Sequence, residues 1–563
     1  MGNHAQNRLQ SHDTMKVALG QLNPTVGDIE SNAARIGEQI LSARSAGATL
    51  AVFPEVAIFG YPPKDLLLRQ GMIRRNVAAL HQVASQCRDI TAVVGFVEPD
   101  PTRAGKGIFN AAAVCRDGAV TATYAKMLLP TYDVFDESRY FNSGRQVRTI
   151  TLGRHAGADR IGLTICEDLW NDHQFEGRRV YGVDPIQATA AAGATALVNI
   201  SASPYRVGKQ PYRQTLFAQQ MRAHGLPLIY VNQVGGNDDL VFDGASMVLD
   251  ARGSVVARAK AFEEDLLIVD LSEATANRIE PYPEPAESIR RALVLGARDY
   301  VRKCGFRDVV LGLSGGIDSA LATVLAVEAL GADHVHGVAM PSRYSSPHSL
   351  EDAQELAANL GIRLSIVPIE SVHRSVEEAM LPHFDQQPPG VTEENMQARI
   401  RGAILMALSN RFGRLLLTTG NKSELAVGYC TLYGDMCGGL AILSDVPKTM
   451  VYELARLVNK SAGRPCIPHR SIERPPSAEL RANQCDQDTL PPYDVLDAIL
   501  EHYIEHETAP EEIIALGFNR DVVTQVVGMV DRSEYKRKQA AVGLKVTSRA
   551  FGTGRRMPIA ARY

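Results

Sequence analysis

The sequence predicts an α/β protein built as two large units. Three observations carry that reading. A chain of 563 residues is too long for one ordinary hydrophobic core. Short apolar runs alternate with helical stretches along most of its length. A proline-bearing break, Glu280-Pro-Tyr-Pro-Glu-Pro-Ala, interrupts that alternation near the middle.

In the first half, strands are expected at 16–22, 50–55, 92–97, 110–115, 160–166, 196–201, 228–234 and 245–250. Helical stretches at 28–46, 73–87 and 211–224 separate some of them. Other strands follow one another directly, as hairpins do. The mixture implies a layered α/β fold with a mixed sheet. After the break the order is helix, strand (309–313), glycine turn, helix (317–330), strand (334–339), helix (349–360), strand (363–368). That is the βαβαβ order of a doubly wound parallel sheet. The expected division is a disordered leader at 1–14, a first domain at 15–275, a linker at 276–286 and a second domain at 287–563. Two polar, proline-bearing stretches at 382–392 and 468–492 read as loops. The second is long enough to be a lid over a site or a plain surface insertion.

Bulk properties narrow the function. A 45% hydrophobic and 22% charged composition is that of a soluble globular protein. A net charge of −4 gives no reason to expect nucleic acid. No apolar run approaches the roughly 20 residues that cross a bilayer. The polar N-terminus has no secretory h-region. Eight scattered cysteines form no CxxC pair, which argues against zinc and for free thiols in a reducing, cytoplasmic compartment.

Two constellations carry chemistry. A thiol cleaves an amide only with a base for its proton, a stabilised oxyanion and a protonated leaving nitrogen. Cys166 ends an apolar strand, and its neighbours Glu167 and Asp168 alone would raise its pKa. A cation is therefore needed, and Lys126 is the candidate. Glu55, in Phe-Pro-Glu after its own strand, is the candidate base. Singly, these residues read as a core cysteine, a surface lysine and a helix-start carboxylate. The ordered contexts VFPE, YAKMLLPTYDVFDE and LTICEDLW change that reading.

Together they resemble the nitrilase, or carbon–nitrogen hydrolase, superfamily over residues 15–270. The resemblance implies an αββα sandwich with Glu55 as general base, Lys126 stabilising the tetrahedral intermediate and Cys166 as nucleophile. Glu137, in FDESRYF, resembles the further glutamate of such sites. Tyr132, Ser203 and Lys209 resemble contacts for a glutamine substrate.

The second constellation is Ser-Gly-Gly-Ile-Asp-Ser at 314–319, between a strand and a helix. Small residues let backbone N–H groups approach a phosphate chain, and the helix N-terminus complements its charge. Ser314, Asp318 and Ser319 add hydroxyls and a carboxylate for phosphate and magnesium. No GxxxxGK[ST] occurs, so this is not a Walker A loop.

The loop resembles that of ATP pyrophosphatases. The segments at 394–410, 418–435, 445–449 and 533–539 resemble NAD synthetases, and residues 15–563 as a whole resemble the glutamine-dependent branch of that family. The resemblance implies ATP-dependent amidation of deamido-NAD+ through an adenylated intermediate, with ammonia from L-glutamine. By it, Gly312, Leu313, Ser314, Gly315, Gly316, Ile317, Asp318, Ser319 and Thr419 hold ATP. Asp318 and Glu424 carry Mg2+. Asn395, Glu424 and Lys536 contact deamido-NAD+, with Lys538 an alternative to Lys536. Lys448 assists the triphosphate. Arg399 and Arg401 meet phosphates or form surface ion pairs. Homo-oligomers are expected. The alternative is another glutamine-dependent amidotransferase with the same ATP loop. It is disfavoured because neither a Gly-x-Cys-x-Gly elbow nor an N-terminal cysteine is present.

Overall fold

A computed structural model describes residues 15–152, 159–170, 181–271, 277–384, 390–482 and 484–561. The leader expected at 1–14 lies outside the described residues, as does 385–389 of the first expected loop. Among the described residues the first half holds fourteen strands: β1 (Lys16–Gln21), β2 (Leu50–Val52), β3 (Thr91–Pro99), β4 (Ile108–Arg116), β5 (Ala119–Ala125), β6 (Arg148–Leu152), β7 (Asp159–Ile165), β8 (Ala196–Ser201), β9 (Leu228–Asn232), β10 (Val234–Asn237), β11 (Leu240–Asp243), β12 (Met247–Leu249), β13 (Val255–Arg258) and β14 (Asp265–Asp270).

They form two six-stranded mixed sheets, ordered β14-β1-β2-β3-β4-β5 and β13-β12-β9-β8-β7-β6, with β10 and β11 as a separate hairpin. The sheets face each other through alternate strand residues. Val17, Leu19, Val52, Val93 and Val114 of one meet Leu163, Ile165, Val198, Ile200 and Val231 of the other. Helices Ile29–Ser45 and Gln70–Ser85 cover the outer face of the first sheet. Helix Lys209–His224 covers that of the second. The expected αββα sandwich is therefore the observed one. The register also brings the chemistry together. Glu55 follows β2, Asn110 lies in β4, Lys126 follows β5 and Cys166 follows β7.

The second half is a six-stranded parallel sheet of β15 (Val309–Gly312), β16 (Val335–Ala339), β17 (Arg363–Ile366), β18 (Leu415–Thr418), β19 (Leu440–Ala441) and β20 (Val542–Gly543). Their order is β17-β16-β15-β18-β19-β20, with every neighbouring pair parallel. This is the doubly wound sheet expected from sequence. The order reverses at β15, so Ser314–Ser319 sits where such sheets bind ligands.

Not every expected element has the expected form. Strand 245–250 shrinks to Met247–Leu249 because Ala245 takes a left-handed φ of +49°. Within 468–492, residues His469–Glu473 form a short helix and Asp486–Asp488 a 3₁₀ turn. The proline break ends sooner than expected, because Pro285 starts helix Pro285–Lys303, a position where proline's missing N–H costs nothing.

That helix packs on the β10–β11 hairpin, and one apolar cluster runs through both halves, joining Val234, Val241 and Phe262 to Ile289, Ala292 and Leu293. Polar contacts fix the packing. Asp299 accepts from Asn23 Nδ2 at 2.7 Å and from the Gly236 amide at 2.8 Å. Lys303 Nζ donates to Asn23 Oδ1 (2.7 Å), Pro24 O (3.0 Å), Gly236 O (2.8 Å) and Asn237 Oδ1 (2.9 Å). Burial lowers the Lys303 pKa to about 8, so the cation depends on these acceptors.

Lys303→Met keeps the stem and removes the charge-assisted bonds. It should lower unfolding stability by on the order of 3 kcal/mol, read as a fall in the chemical-denaturation midpoint. An unchanged midpoint would contradict the role given to Lys303.

Candidate active sites

In the first half, Lys126 is fully buried. Its Nζ donates to Glu55 Oε1 at 2.7 Å and to Glu137 Oε1 at 2.8 Å. Burial alone would lower its pKa, but Glu137 and Glu55 overcome that and hold it well above the ordinary lysine value. The lysine is an ammonium ion. Glu55 is fixed from both sides: Asn110 Nδ2 donates to Oε1 at 2.7 Å and the Ala202 amide to Oε2 at 2.8 Å. Tyr61 donates to Glu137 Oε1 at 2.9 Å and Asn110 to Oε2 at 3.4 Å. Burial pushes Glu137 up to about 7 against the pull of Lys126, with Glu55 adding to the rise.

Cys166 is buried at the junction of β7 and a 3₁₀ turn, with φ of +40°. A left-handed cysteine is a strained backbone that its surroundings must hold. Asp168 does so. Its Oδ1 accepts from the Met127 and Leu128 amides (3.1 and 3.0 Å), and its Oδ2 from Tyr124 (2.7 Å) and the Ile165 amide (2.9 Å). The strand carrying Cys166 is thereby tied to the segment after Lys126. Burial, then Glu55, raises the thiol pKa, and Lys126 opposes them. The resting sulfur is a neutral thiol.

The expected glutamine contacts stand around this core. Tyr132 donates to Glu167 Oε2 at 3.0 Å, and Tyr181 to Glu167 Oε1 at 3.0 Å. Ser203 is buried, its amide bound to Asn232 Oδ1 at 2.9 Å. Lys209 Nζ donates to Pro204 O at 2.8 Å and lies 5.4 Å from the centre of the Trp170 ring. Burial, then Arg213, lowers Lys209 to about 7. Arg213 is itself fully buried against Asp243 at 3.3 Å.

In the second half a cavity of about 320 Å3 opens at the carboxyl ends of the strands. Gly312 through Ser319, Thr419, Glu424 and Lys448 line it. Gly315 has φ of +79°, and a Cβ there would fall 2.3 Å from Ser349 O, so only glycine fits. Ser314 and Ser319 brace the turn, with their hydroxyls 3.1 Å apart and Ser319 Oγ donating to Gly316 O at 2.9 Å.

Lys448 is buried between Asp318 Oδ2 (2.5 Å) and Glu424 Oε1 (3.2 Å). Burial works against its charge, but the two carboxylates raise its pKa above the usual lysine value. Asn421 Nδ2 donates to Asp318 Oδ1 at 2.9 Å. Burial raises Glu424 to about 7, opposed by Lys448 and assisted by Asp318.

Other expected contacts stand farther back. Asn395 and Lys536 are not in the cavity lining. Asn395 Oδ1 accepts from Thr431, a lining residue, at 2.8 Å. Lys536 Nζ binds the carbonyls of Gly428 and Cys430 at 2.8 and 2.9 Å, whereas Lys538 is exposed with Glu534 at 3.9 Å. Arg401 lines the cavity, and Arg399 binds Leu432 O at 3.2 Å on the surface.

Sequence reasoning passed over Asn110 and Tyr61 in the first site and read Asp168 only as an acidic neighbour of the thiol. In the second it missed Asp486, which lines the cavity, is buried, and holds Tyr493 by Oδ2 at 2.9 Å while Oδ1 has no partner among the described residues. Residues 474–480, within the longer expected loop, also line the cavity. Among the described residues no cluster of three or more His, Cys, Asp or Glu forms a metal cage. The two carboxylates Asp318 and Glu424 fit Mg2+, which takes few protein ligands and completes its shell with water and phosphate.

Comparison with known proteins bears on both halves. Residues 16–280 match the family model described as carbon-nitrogen hydrolase, and residues 289–540 match that described as NAD synthase. A glutamine-dependent NAD(+) synthetase of Synechocystis sp. is 49% identical over 556 residues, covering 97% of this chain and 99% of the relative. One from Acinetobacter baylyi is 46% identical over 553 residues, covering 97% and 98%. The solved structure of a glutamine-dependent NAD+ synthetase from Acinetobacter baumannii in complex with ADP is 43% identical, with a TM-score of 0.76 and coverage of 97% and 98%. The fold thus joins an amide-cleaving type of domain to an ATP-using synthase domain. The chain belongs to the glutamine-dependent NAD(+) synthetase family.

Among the described residues, Asn110 is the uncharged donor that, with Lys126, reaches both Glu55 and Glu137. Asn110→Leu should cut glutamine hydrolysis by about a hundredfold, the scale on which losing one fixed donor acts. Ammonium-driven synthesis should be unchanged. Wild-type glutamine hydrolysis in this variant would contradict the account of the site.

Proposed function

We propose that this protein makes NAD+ by ATP-dependent amidation of deamido-NAD+, taking ammonia from glutamine hydrolysed in its own N-terminal half. The observation that carries the reading is that two complete charged constellations stand on one chain. One is Lys126 between Glu55 and Glu137 beside Cys166. The other is Lys448 between Asp318 and Glu424 under a glycine turn.

On the glutamine side, a neutral thiol attacks only if its proton leaves as the S–C bond forms. Glu55, one of the charges that act on Cys166, takes that proton. Lys126 then stabilises the tetrahedral oxyanion. Glu55 returns the proton to the departing nitrogen, giving ammonia and a Cys166 thioester that water hydrolyses to glutamate. Tyr132, Ser203 and Lys209 hold the substrate's α-amino and α-carboxylate groups, with the Glu167 carboxyl beside Tyr132.

On the ATP side, the nicotinate carboxylate attacks the α-phosphorus, and pyrophosphate leaves. The Ser314–Ser319 turn offers backbone N–H groups and hydroxyls to the departing phosphates. Lys448 supplies a buried cation beside them. Asp318 and Glu424 would hold Mg2+, which when bound neutralises phosphate charge. Ammonia attacks the acyl-adenylate and releases AMP and NAD+. Asn395, Glu424 and Lys536 are assigned to the deamido-NAD+ end, Asn395 and Lys536 acting through the segments they pin.

The eight cysteines are all free thiols, which accords with a cytoplasmic setting. No helix among the described residues is long and apolar enough to cross a membrane. We assign a homo-oligomer that pairs through the synthase half. Helices Glu370–Met380 and Val391–Phe412 expose Val372, Val391, Met406 and Phe412, with Leu381 beside them 70% exposed.

Two variants test the division of labour. Cys166→Ala should abolish glutamine-dependent NAD+ formation and spare synthesis at high ammonium. Asp318→Ala should abolish synthesis from either nitrogen donor. Product analysis with deamido-NAD+, ATP and each donor reads both. Loss of ammonium-driven synthesis in a folded Cys166→Ala, or near-wild-type synthesis in Asp318→Ala, would reject the assignment.

A further inference from the structure

The last strand of the synthase sheet, Val542–Gly543, leads into a tail that crosses to the other half. Three contacts in a row are made there. The Lys545 amide donates to Asp239 O at 2.8 Å, in the turn between β10 and β11. The Val207 amide donates to Val546 O at 2.8 Å. Lys545 Nζ stands 3.3 Å from Asp133 Oδ2. Val207 lies between Ser203 and Lys209, and Asp133 follows Tyr132. One short piece of the synthase half therefore grips both loops that carry the expected glutamine contacts.

The tail is rigid where it does so. Lys545 is buried, and its Nζ also donates to Thr547 O (3.1 Å) and Ser548 O (2.7 Å). The Val546 and Thr547 amides both donate to Asp445 Oδ2 at 2.7 Å. Thr547 Oγ1 accepts from the buried Lys422 at 2.6 Å.

The gripped loop needs support. Asp133 has φ of +48°, a strained conformation for a residue with a side chain. Its Oδ1 is buried with no partner among the described residues. Gly554 of the tail packs against that oxygen so closely that a Cβ there would fall 2.5 Å from it. Arg556 and Asp136 add a longer contact at 4.0 Å.

We propose that Lys545 is a positioning residue for the glutamine site, holding the Asp133 loop so that Tyr132 stands at Glu167 beside Cys166. The inference rests on reading Tyr132, Ser203 and Lys209 as glutamine contacts. It adds that glutamine binding in one half is built partly from the other half's tail. Lys545 touches no reacting atom. Its loss should raise the KM for glutamine more than it lowers kcat, because it orders the binding loop and not the thiol chemistry.

The test uses the full chain with Lys545→Met, Asp133→Asn and the double variant. Glutamine hydrolysis kinetics and ammonium-driven NAD+ synthesis are measured for each. Each single change should raise KM for glutamine by roughly tenfold with a smaller change in kcat. The double variant should be no worse than the worse single, since both singles break the same Lys545–Asp133 ion pair. Ammonium-driven synthesis should stay at the wild-type rate.

Additive effects in the double variant, an unchanged KM, or an equal loss of ammonium-driven synthesis would overturn the proposal. If Lys545→Met does not fold, Asp133→Asn decides alone, because it leaves the lysine's bonds to Thr547 and Ser548 in place. A wild-type chain that hydrolyses no glutamine fails at a different point: it overturns the assignment of the site, and this inference with it.

Discussion

A lysine ammonium buried between two carboxylates recurs at both ends of this molecule. Lys126 sits between Glu55 and Glu137, and Lys448 between Asp318 and Glu424. Removing such an ion from water costs several kcal/mol, offset only when its partners are close and well oriented. Each triplet carries a formal charge of −1 and constrains a wide region. Around Lys126 one sheet must deliver Glu55 after β2, Asn110 in β4 and Lys126 after β5, and the turn at Glu137 must fold back onto them, while the facing sheet delivers Cys166 and the Ala202 amide. Around Lys448 the helix starting at Ile317 must meet the segments of Asn421 and Pro447. The folds differ, but one electrostatic device recurs in both, a lysine cation fixed between two carboxylates, which on the proposed reading stands where negative charge develops on the substrate.

The same constraint explains the rigidity between the halves. A site that must hold a buried cation cannot tolerate loops that wander. The first half is braced by elements that do not belong to it. Helix Pro285–Lys303 closes the open face of the β10–β11 hairpin, and the tail after Gly543 grips the loops of Asp133 and Val207. Tyr282, in the proline-bearing connection, donates to Asp243 at 3.0 Å, and Asp243 in turn holds Arg213 below Ser203. Connection, helix and tail therefore all lead from the synthase half to the loops around Cys166.

Much of this was legible in the sequence wherever the signal was local. Ser314–Ser319 declares itself because strand, small-residue turn and helix start lie within a dozen residues. Glu55 and Cys166 declare themselves because each closes an apolar strand in a characteristic context, and Lys126 through its context YAKMLLPTYDVFDE. Asn110 did not, since in NAAAVC it reads as a strand opening, and its importance arises only when β4 pairs beside β3 and β5. Asp168 looked like a neighbour that would disturb the thiol, yet besides the nearby Ile165 amide it binds two amides and a tyrosine from elsewhere in the fold. The strands at 234–237 and 240–243 escaped notice because four residues, two of them glycine in the first, show no alternation. Lys545 had no local signal: Asp133, its partner across the halves, lies more than 400 positions earlier.

The central claim is that two sites on one chain share one nitrogen atom, and isotope competition tests it most directly. Amide-15N glutamine is supplied with deamido-NAD+, ATP and an excess of unlabelled ammonium near neutral pH, where free ammonia is mostly protonated and unable to attack. If ammonia passes internally from the Cys166 site to the cavity under Ser314–Ser319, the carboxamide nitrogen of the NAD+ formed is mostly 15N. Label diluted to the ratio expected for mixing with bulk ammonium would contradict the account and leave two independent activities on one chain.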